Sequence, residues 1–82
     1  MMKPQVFAIS AIYVPAKRRK TLNPATVRAI AESILAKGLE TPIMVRADGE
    51  RFVLIEGLHR LEACKTLGEQ TIKGFLVQAR KH

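Results

Sequence analysis

One stretch of the chain carries apolar residues at the spacing of an amphipathic helix. Five apolar residues recur at positions i, i+3, i+4, i+7 and i+8: Val27, Ile30, Ala31, Ile34 and Leu35. This spacing places them on one side of a helix. Asn23 is favoured at an N-cap, Pro24 at the first helical position and Gly38 at a C-terminal cap. The pattern predicts a helix over residues 24–37 whose apolar side belongs to the core.

Segments rich in β-branched and aromatic residues predict the strands. They cover residues 6–9, 12–14, 42–46, 52–55 and 71–77. The dipeptide Asp48-Gly49 is a strong hairpin signal, and the apolar run at 52–55 is typical of a strand buried on both faces. The order of elements predicts a small α/β (α+β) domain with a mixed sheet, a β-hairpin and two main helices, and one domain over residues 1–82.

A second helix is predicted over residues 58–67, immediately after a turn at Gly57. Its apolar side consists of Leu58, Leu61, Ala63, Cys64 and Leu67, and Gly68 suits its C-terminal cap. The glycine at position 57 lets the backbone turn sharply and is expected to leave room for a close approach. The single cysteine lies on the apolar side, so we expect a buried, unreactive thiol.

The first turn of this second helix contains two side chains that can donate hydrogen bonds, His59 and Arg60. A helix N-terminus carries free backbone N–H groups and a partial positive charge, and usually attracts acidic residues. Cations at this position therefore indicate a compensating anion, and phosphate is the first candidate. The alternatives are that Arg60 points into water or pairs with Glu56 or Glu62, and that His59 is a core or surface residue.

The net charge of the chain is +7, from 14 Lys and Arg residues against 7 Asp and Glu residues. Such an excess favours anionic partners, either nucleic acid or phosphorylated small molecules. Four consecutive cations stand at Lys17, Arg18, Arg19 and Lys20. They are either a solvated loop or an anion clamp that folds towards the Gly57 turn.

Several classes of protein are excluded or disfavoured by composition. One cysteine cannot form an internal disulfide or a multi-thiolate metal site, which fits a reducing, cytoplasmic setting. No apolar run approaches the length of a membrane span, so we expect no membrane association. The sequence also lacks a Walker A lysine motif, a zinc pattern, an aromatic RNA-binding signature and the carboxylate cluster of a two-metal nuclease.

Four blocks of sequence, taken in order, resemble the N-terminal domain of the ParB family, which shares its fold with sulfiredoxin. The first is an arginine-containing loop before the 24–37 helix, and the second is Ala31-Glu32-Ser33-Ile34 followed by Gly38. The third and fourth are residues 41–45, Thr-Pro-Ile-Met-Val, and residues 55–63, Ile-Glu-Gly-Leu-His-Arg-Leu-Glu-Ala. The resemblance covers residues 7–78 and implies the ParB/sulfiredoxin fold.

The resemblance also implies a nucleotide-phosphate site at the Gly57 turn. The corresponding turn reads Gly-Glu-Arg-Arg in ParB proteins, where it helps to bind CTP with Mg²⁺, and Gly-Cys-His-Arg in sulfiredoxins, where it holds ATP. Here the turn is Gly57-Leu58-His59-Arg60. Leu58 stands in place of the reactive cysteine, so sulfinic-acid reduction is not expected. Arg19 matches the ParB loop arginine, and Thr41 and Pro42 match the segment beside the nucleotide.

These observations favour a nucleotide-binding module of a DNA-partition or DNA-transaction protein, with CTP or ATP at the turn and a homodimer as one assembly. Glu56 is the candidate Mg²⁺ ligand or general base. An enzyme is the alternative, either a phosphotransferase or nucleotide hydrolase of the sulfiredoxin fold or a ParB-like nuclease. A third class is a plain DNA-binding domain whose phosphate contacts are Lys17, Arg18 and Lys20.

Overall fold

A computed structural model of the chain describes residues 3–38 and 41–78. The strands are β1 (Gln5–Ala8), β2 (Ile12–Tyr13), β3 (Ile43–Asp48), β4 (Arg51–Glu56) and β5 (Thr71–Val77). The helices are α1 (Ala16–Arg19), α2 (Pro24–Lys37) and α3 (Leu58–Thr66), and a 3₁₀ turn spans Ile9–Ala11. The small mixed α+β domain predicted from the sequence is therefore confirmed.

The five strands form one mixed sheet in the order β1-β5-β3-β4-β2. β3 pairs antiparallel with β4 and parallel with β5, while β1 pairs antiparallel with β5 and β2 pairs parallel with β4. In the hairpin between β3 and β4, Asp48 pairs with Arg51, so the two turn residues are Gly49 and Glu50. The sequence signal at Asp48-Gly49 located this turn one residue early.

Alternation along the strands directs one set of side chains towards the helices. The main core joins Ile43 and Val45 of β3 and Leu54 of β4 to Leu58 and Leu61 of α3. Phe7 of this core also meets Phe52 edge to face, with ring centroids 4.9 Å apart. Val53 and Leu54 are adjacent and both buried, which confirms that β4 is covered on both faces.

Helix α2 packs against α3 through a second apolar cluster of small and branched residues. Val27 and Ala31 contact Ala63, with Ile30 and Ile34 partly buried beside them. The Asn23 side chain accepts hydrogen bonds from the N–H groups of Ala25 and Thr26, and Gly38 ends the helix at φ 85°. These caps confirm the predicted bounds of α2.

Two expectations about these helices are wrong. Leu35, assigned to the apolar stripe, is 75% exposed, because it stands at the margin of the stripe, beyond the contact with α3. The four cations at 17–20 do not form an open loop. Pro15 starts a short helix over Ala16–Arg19, in which the N–H groups of Arg18 and Arg19 donate to the carbonyl of Pro15.

Candidate functional site

Strand β4 and helix α3 are joined at Gly57, which has a left-handed backbone with φ 108°. A Cβ placed on this glycine would lie 2.6 Å from Cγ2 of Ile43. Real Cβ atoms do not approach another carbon so closely, so no other residue fits without displacing strand β3. We expected Gly57 to leave room for a ligand; instead, the space of the missing side chain is taken by the core.

The first turn of α3 has no side-chain cap. Its first main-chain hydrogen bond runs from the N–H of Leu61 to the carbonyl of Gly57, so the preceding N–H groups have no partner inside the helix. The side chain of Leu58 is buried in the core, which leaves only its backbone for a ligand. The turn is therefore an electropositive end with free donors, as the sequence predicted.

A cavity of about 360 Å³ opens beside this turn. Five of the residues predicted for the site line it: Thr41, Pro42, Glu56, Gly57 and Arg60. Two apolar residues, Met44 and Phe75, complete the lining and were missed by sequence reasoning. Alternation along β3 could have shown that Met44 points away from the side of its buried neighbours. Phe75 reaches the cavity through the pairing of β3 with β5, for which there is no local sequence signal.

The Arg60 side chain is partly buried at this cavity and forms no salt bridge within residues 3–38 and 41–78. Neither Glu56 nor Glu62, the carboxylates that the sequence analysis offered as partners, forms a salt bridge with it. Glu62 instead pairs with Lys65, with Oε2 3.1 Å from Nζ, and Glu56 lies exposed at the rim. A guanidinium at a helix N-terminus that has no salt bridge among the described residues can bind an anion such as phosphate through two parallel hydrogen bonds.

The structure gives His59 a contact that the sequence did not indicate. Its Nε2 accepts a hydrogen bond of 3.0 Å from the main-chain N–H of Asn23. An accepting Nε2 requires a neutral ring with its proton on Nδ1. His59 therefore cannot donate to a phosphate through Nε2 while this bond stands, and it is not among the residues that line the cavity.

The four consecutive cations are exposed on and after α1, and none of them lines the cavity. Nε of Arg19 donates to the carbonyl oxygen of Val14 at 3.2 Å, which ties that side chain to its own segment. The structure thus does not bring Arg19 together with Arg60. Lys17, Arg18 and Lys20 are exposed on this short helix and at its end.

Cys64 lies on the buried side of α3 and is 2% exposed, as predicted. Burial raises the pKa of its thiol, the nearby charge of Glu69 raises it further, and the charge of Arg60 lowers it. A thiol with a raised pKa carries little thiolate at neutral pH and is a poor nucleophile. Redox or nucleophilic chemistry at this residue has no support.

A larger groove of about 510 Å³ lies elsewhere, between the C-terminal ends of α2 and α3 and the strands β1 and β5. Its lining includes the exposed side chains Val6 and Leu35, but none of the predicted phosphate-binding residues. In the described part of the chain, no three His, Cys, Asp or Glu residues converge as a metal site. No helix within that part is long and apolar enough to cross a membrane.

The family model of the ParB N-terminal domain matches residues 5–82. The chain belongs to the ParB N-terminal domain family. A curated relative, the probable chromosome-partitioning protein ParB of Campylobacter jejuni, is 37% identical over 62 residues, which are 76% of this chain and 22% of the relative. The chain thus spans about a fifth of the length of that ParB protein.

Two solved structures share the fold of this ParB domain. Sulfiredoxin from Arabidopsis thaliana is 26% identical with a TM-score of 0.83, and the match covers 94% of this chain and 86% of that one. The C-terminally truncated ParB of Caulobacter crescentus, complexed with CTP-γ-S, is 20% identical with a TM-score of 0.82 over 96% of this chain and 46% of that one. The ParB/sulfiredoxin fold is therefore confirmed.

Proposed function

We propose that residues 1–82 form the nucleotide-binding module of a chromosome-partitioning protein, and that a nucleoside triphosphate binds at the first turn of α3. CTP is the first candidate and ATP the second. The observation that carries this proposal is the cavity beside Gly57, where an uncapped helix N-terminus meets the guanidinium of Arg60, which forms no salt bridge with any residue that the structure describes. A solved ParB of the same fold is complexed with a CTP analogue, which supports the choice of nucleotide.

Each part of the turn has a role in this proposal. The backbone N–H groups of residues 58–60 bind phosphate oxygens, and the helix dipole favours their charge. Arg60 grips two oxygens with its forked donors. Thr41 and Pro42, which also line the cavity, would border the space beside the phosphates. His59, whose Nε2 is engaged with Asn23, retains only Nδ1–H as a donor.

Among the residues that the structure describes, Glu56 is the one carboxylate that lines the cavity. Mg²⁺ is usually bound by one or two carboxylates together with substrate phosphates and waters. The residues present thus fit a Mg²⁺ ion bound together with the triphosphate, and Glu56 would be the residue that holds it. Glu56 alone gives little support to a hydrolase, phosphotransferase or nuclease.

DNA is proposed as a second, weaker partner. The exposed cations Lys17, Arg18 and Lys20 can neutralise backbone phosphates, but phosphate contacts do not read sequence. Helix α2 packs its apolar side against α3, and α3 is short, so neither is assigned here as a recognition helix. Sequence-specific binding and dimer formation would then depend on other parts of the chromosome-partitioning protein.

Isothermal titration with CTP, ATP and GTP, each with and without Mg²⁺, tests the nucleotide proposal. A charge-assisted hydrogen bond contributes about 1.5–3 kcal/mol, so Arg60→Ala should weaken binding about 10- to 150-fold. Arg28→Ala is the matched control, because Arg28 is an exposed arginine on α2 and lies outside the cavity. Equal losses of nucleotide affinity in the two variants would mean that net charge alone explains the effect. An unchanged affinity in Arg60→Ala would refute the site.

A further inference from the structure

Strand β1 lies at one edge of the sheet, and β5 is its one neighbour among the described residues. The N–H of Ile9 donates to the carbonyl oxygen of Gln70 at 3.0 Å, which continues the antiparallel pairing of the two strands. In such a pair, hydrogen-bonded and non-bonded residue pairs alternate. Phe7 therefore bonds to β5, whereas Val6 and Ala8 point their N–H and C=O groups outward. No main-chain hydrogen bond from another described residue reaches these outward groups.

The two edges of the sheet differ in their protection. β2, at the far edge, has two residues and is followed two positions later by Pro15. Natural edge strands are usually blunted in this way, by short length, proline or charge. β1 contains neither proline nor a charged residue, and its Val6 is 64% exposed. An uncharged edge with free backbone groups can accept an extended peptide as a further strand.

The groove of about 510 Å³ lies beside this edge, and we call it the β1 groove. Its apolar lining includes Val6 of β1, Ile34 and Leu35 of α2, and Leu67 after α3. Every second side chain of a strand added to β1 would point to the side of the sheet that carries the helices. There it would meet Leu35, which is 75% exposed. The edge thus offers main-chain bonds, and the groove offers contacts to alternate apolar side chains.

The charges around the β1 groove are mostly positive. Lys73 pairs with Val6 in register, Lys3 precedes β1, and Lys37 is the last residue of α2. Among the described residues, Glu69 is the one carboxylate in the lining. None of these four charged side chains forms a salt bridge with a residue that the structure describes. Together with the net charge of +7, they favour an acidic occupant over a second copy of the chain.

We infer that β1 and the β1 groove dock an extended, acidic segment of another protein, which joins the sheet as a sixth strand. The segment carries apolar side chains at alternate positions and carboxylates at its flanks. β1 has four residues and spans about 14 Å, so about five residues of the segment pair with it. The residues proposed to bind nucleotide do not line this groove, so the inference is independent of the nucleotide site.

Amide hydrogen exchange of the unmodified chain, followed by NMR, tests strand addition. The probe is a synthetic peptide, Asp-Glu-Val-Thr-Val-Thr-Val-Glu-Asp. Without peptide, the N–H groups of Val6 and Ala8 should exchange fast, and those of Phe7 and Ile9 slowly. At a peptide concentration about 10 times its Kd, exchange at Val6 and Ala8 should slow about 10-fold, while Phe7 changes little. Exchange at Val6 and Ala8 that stays fast in the presence of peptide overturns strand addition.

Fluorescence anisotropy with the labelled peptide tests the edge and the groove separately. Val6→Pro removes one outward donor and no bond to β5, a change that edge strands tolerate, and should weaken binding by up to about 10-fold. Leu35→Asp places a carboxylate at the groove and should also weaken binding. Leu22→Asp is the matched control, because Leu22 is 37% exposed but does not line the groove. Urea midpoints check that each variant retains the fold.

A second peptide, in which glycine replaces the three valines, keeps the charge and should bind more weakly. Equal affinities for the two peptides, or equal losses in Leu35→Asp and Leu22→Asp, would mean that charge alone attracts the peptide and would overturn the docking site. Absence of saturable binding overturns it as well. Self-association of the unmodified chain in sedimentation, abolished by Val6→Pro, would assign the edge to a second copy instead. Nucleotide titrations of Arg60→Ala are unaffected by any of these results.

Discussion

His59 and Asn23 join the starts of the two main helices through one hydrogen bond, 3.0 Å from the Asn23 N–H to Nε2 of His59. Asn23 is also the N-cap of α2, and it follows the basic residues 17–20 closely in the chain. The bond therefore holds the end of the basic segment near the first turn of α3. It links the segment that carries the cations to the turn towards which the sequence analysis expected an anion clamp to fold.

His59→Ala should lower the free energy of unfolding by about 0.5–1.5 kcal/mol, the usual net value of one hydrogen bond. Equilibrium unfolding in urea measures this change in the free energy of unfolding. Asn23→Ala is the comparison: it removes the side-chain cap, at a cost of about 1 kcal/mol, but keeps the main-chain N–H. The loss of unfolding free energy caused by His59→Ala should therefore be the same in the unmodified chain and in the Asn23→Ala variant. An unchanged unfolding free energy in His59→Ala would show that the bond contributes nothing.

Gly57→Ala should destabilise the fold, because its Cβ would meet Cγ2 of Ile43 at 2.6 Å in a left-handed backbone. The backbone strain alone costs about 1–2 kcal/mol, and displacement of β3 adds to it. Gly68→Ala is the matched control, since Gly68 has φ 77° but nothing within 4 Å of its Cβ position. Urea midpoints should fall clearly further for position 57 than for position 68; equal shifts would contradict the role of Ile43.

Cys64→Ala should cost about 1 kcal/mol of stability through the lost buried sulfur and leave nucleotide binding unchanged. In the native protein the thiol should react with iodoacetamide much more slowly than in urea, because it is 2% exposed. A native labelling rate equal to that of the unfolded chain would refute its burial.

Stability should fall at alkaline pH through the same thiol. Burial raises the pKa of Cys64 in the folded protein, so the unfolded chain loses its proton first. The stabilising contribution is complete below the unfolded pKa, about 8.5, and is lost as the pH rises through the folded pKa. Unfolding free energies at pH 7 and pH 10 should differ more for the unmodified chain than for Cys64→Ala; equal differences would contradict the raised pKa.

DNA binding by this chain alone should be non-specific, with a Kd of about 10⁻⁴–10⁻⁶ M and a steep dependence on salt. Replacing Lys17, Arg18 and Lys20 by glutamine should reduce both the affinity and the salt slope in fluorescence anisotropy titrations. Arg28→Ala, distant from the basic segment in sequence, should change them less. A sequence-specific footprint that survives 200 mM salt would reveal a reading surface outside those described here.

Most of the fold was predictable from local sequence. Caps and periodicity are properties of neighbouring residues, so Asn23, Gly38 and Gly68 located the helix ends well. The exposure of Leu35 was not predictable in the same way. Its exposure depends on where α3 contacts α2, and the sequence does not specify the angle at which two helices meet.

The residues of the site that are contiguous in sequence were predictable from local pattern, and Thr41 and Pro42 followed from the family resemblance. Glu56, Gly57 and Arg60 belong to one turn, and their convergence follows from the helix start. Phe75 enters through the parallel pairing of β5 with β3, a long-range relationship that no local pattern records. The engagement of His59 with Asn23 likewise depends on tertiary packing, so the phosphate role predicted from its place in the first turn of the helix did not take this partner into account.

The position of β5 between β1 and β3 also bears on how the chain folds during synthesis. Among the strands of this sheet β1 is made first, yet its neighbour in the sheet is β5, the strand of this sheet that is made last. Phe75 comes from that same strand, so the cavity cannot be completed until the sheet closes. A nascent chain that ends before β5 would have the phosphate turn without its apolar wall and an unpaired first strand, which is a ready target for chaperones and proteases.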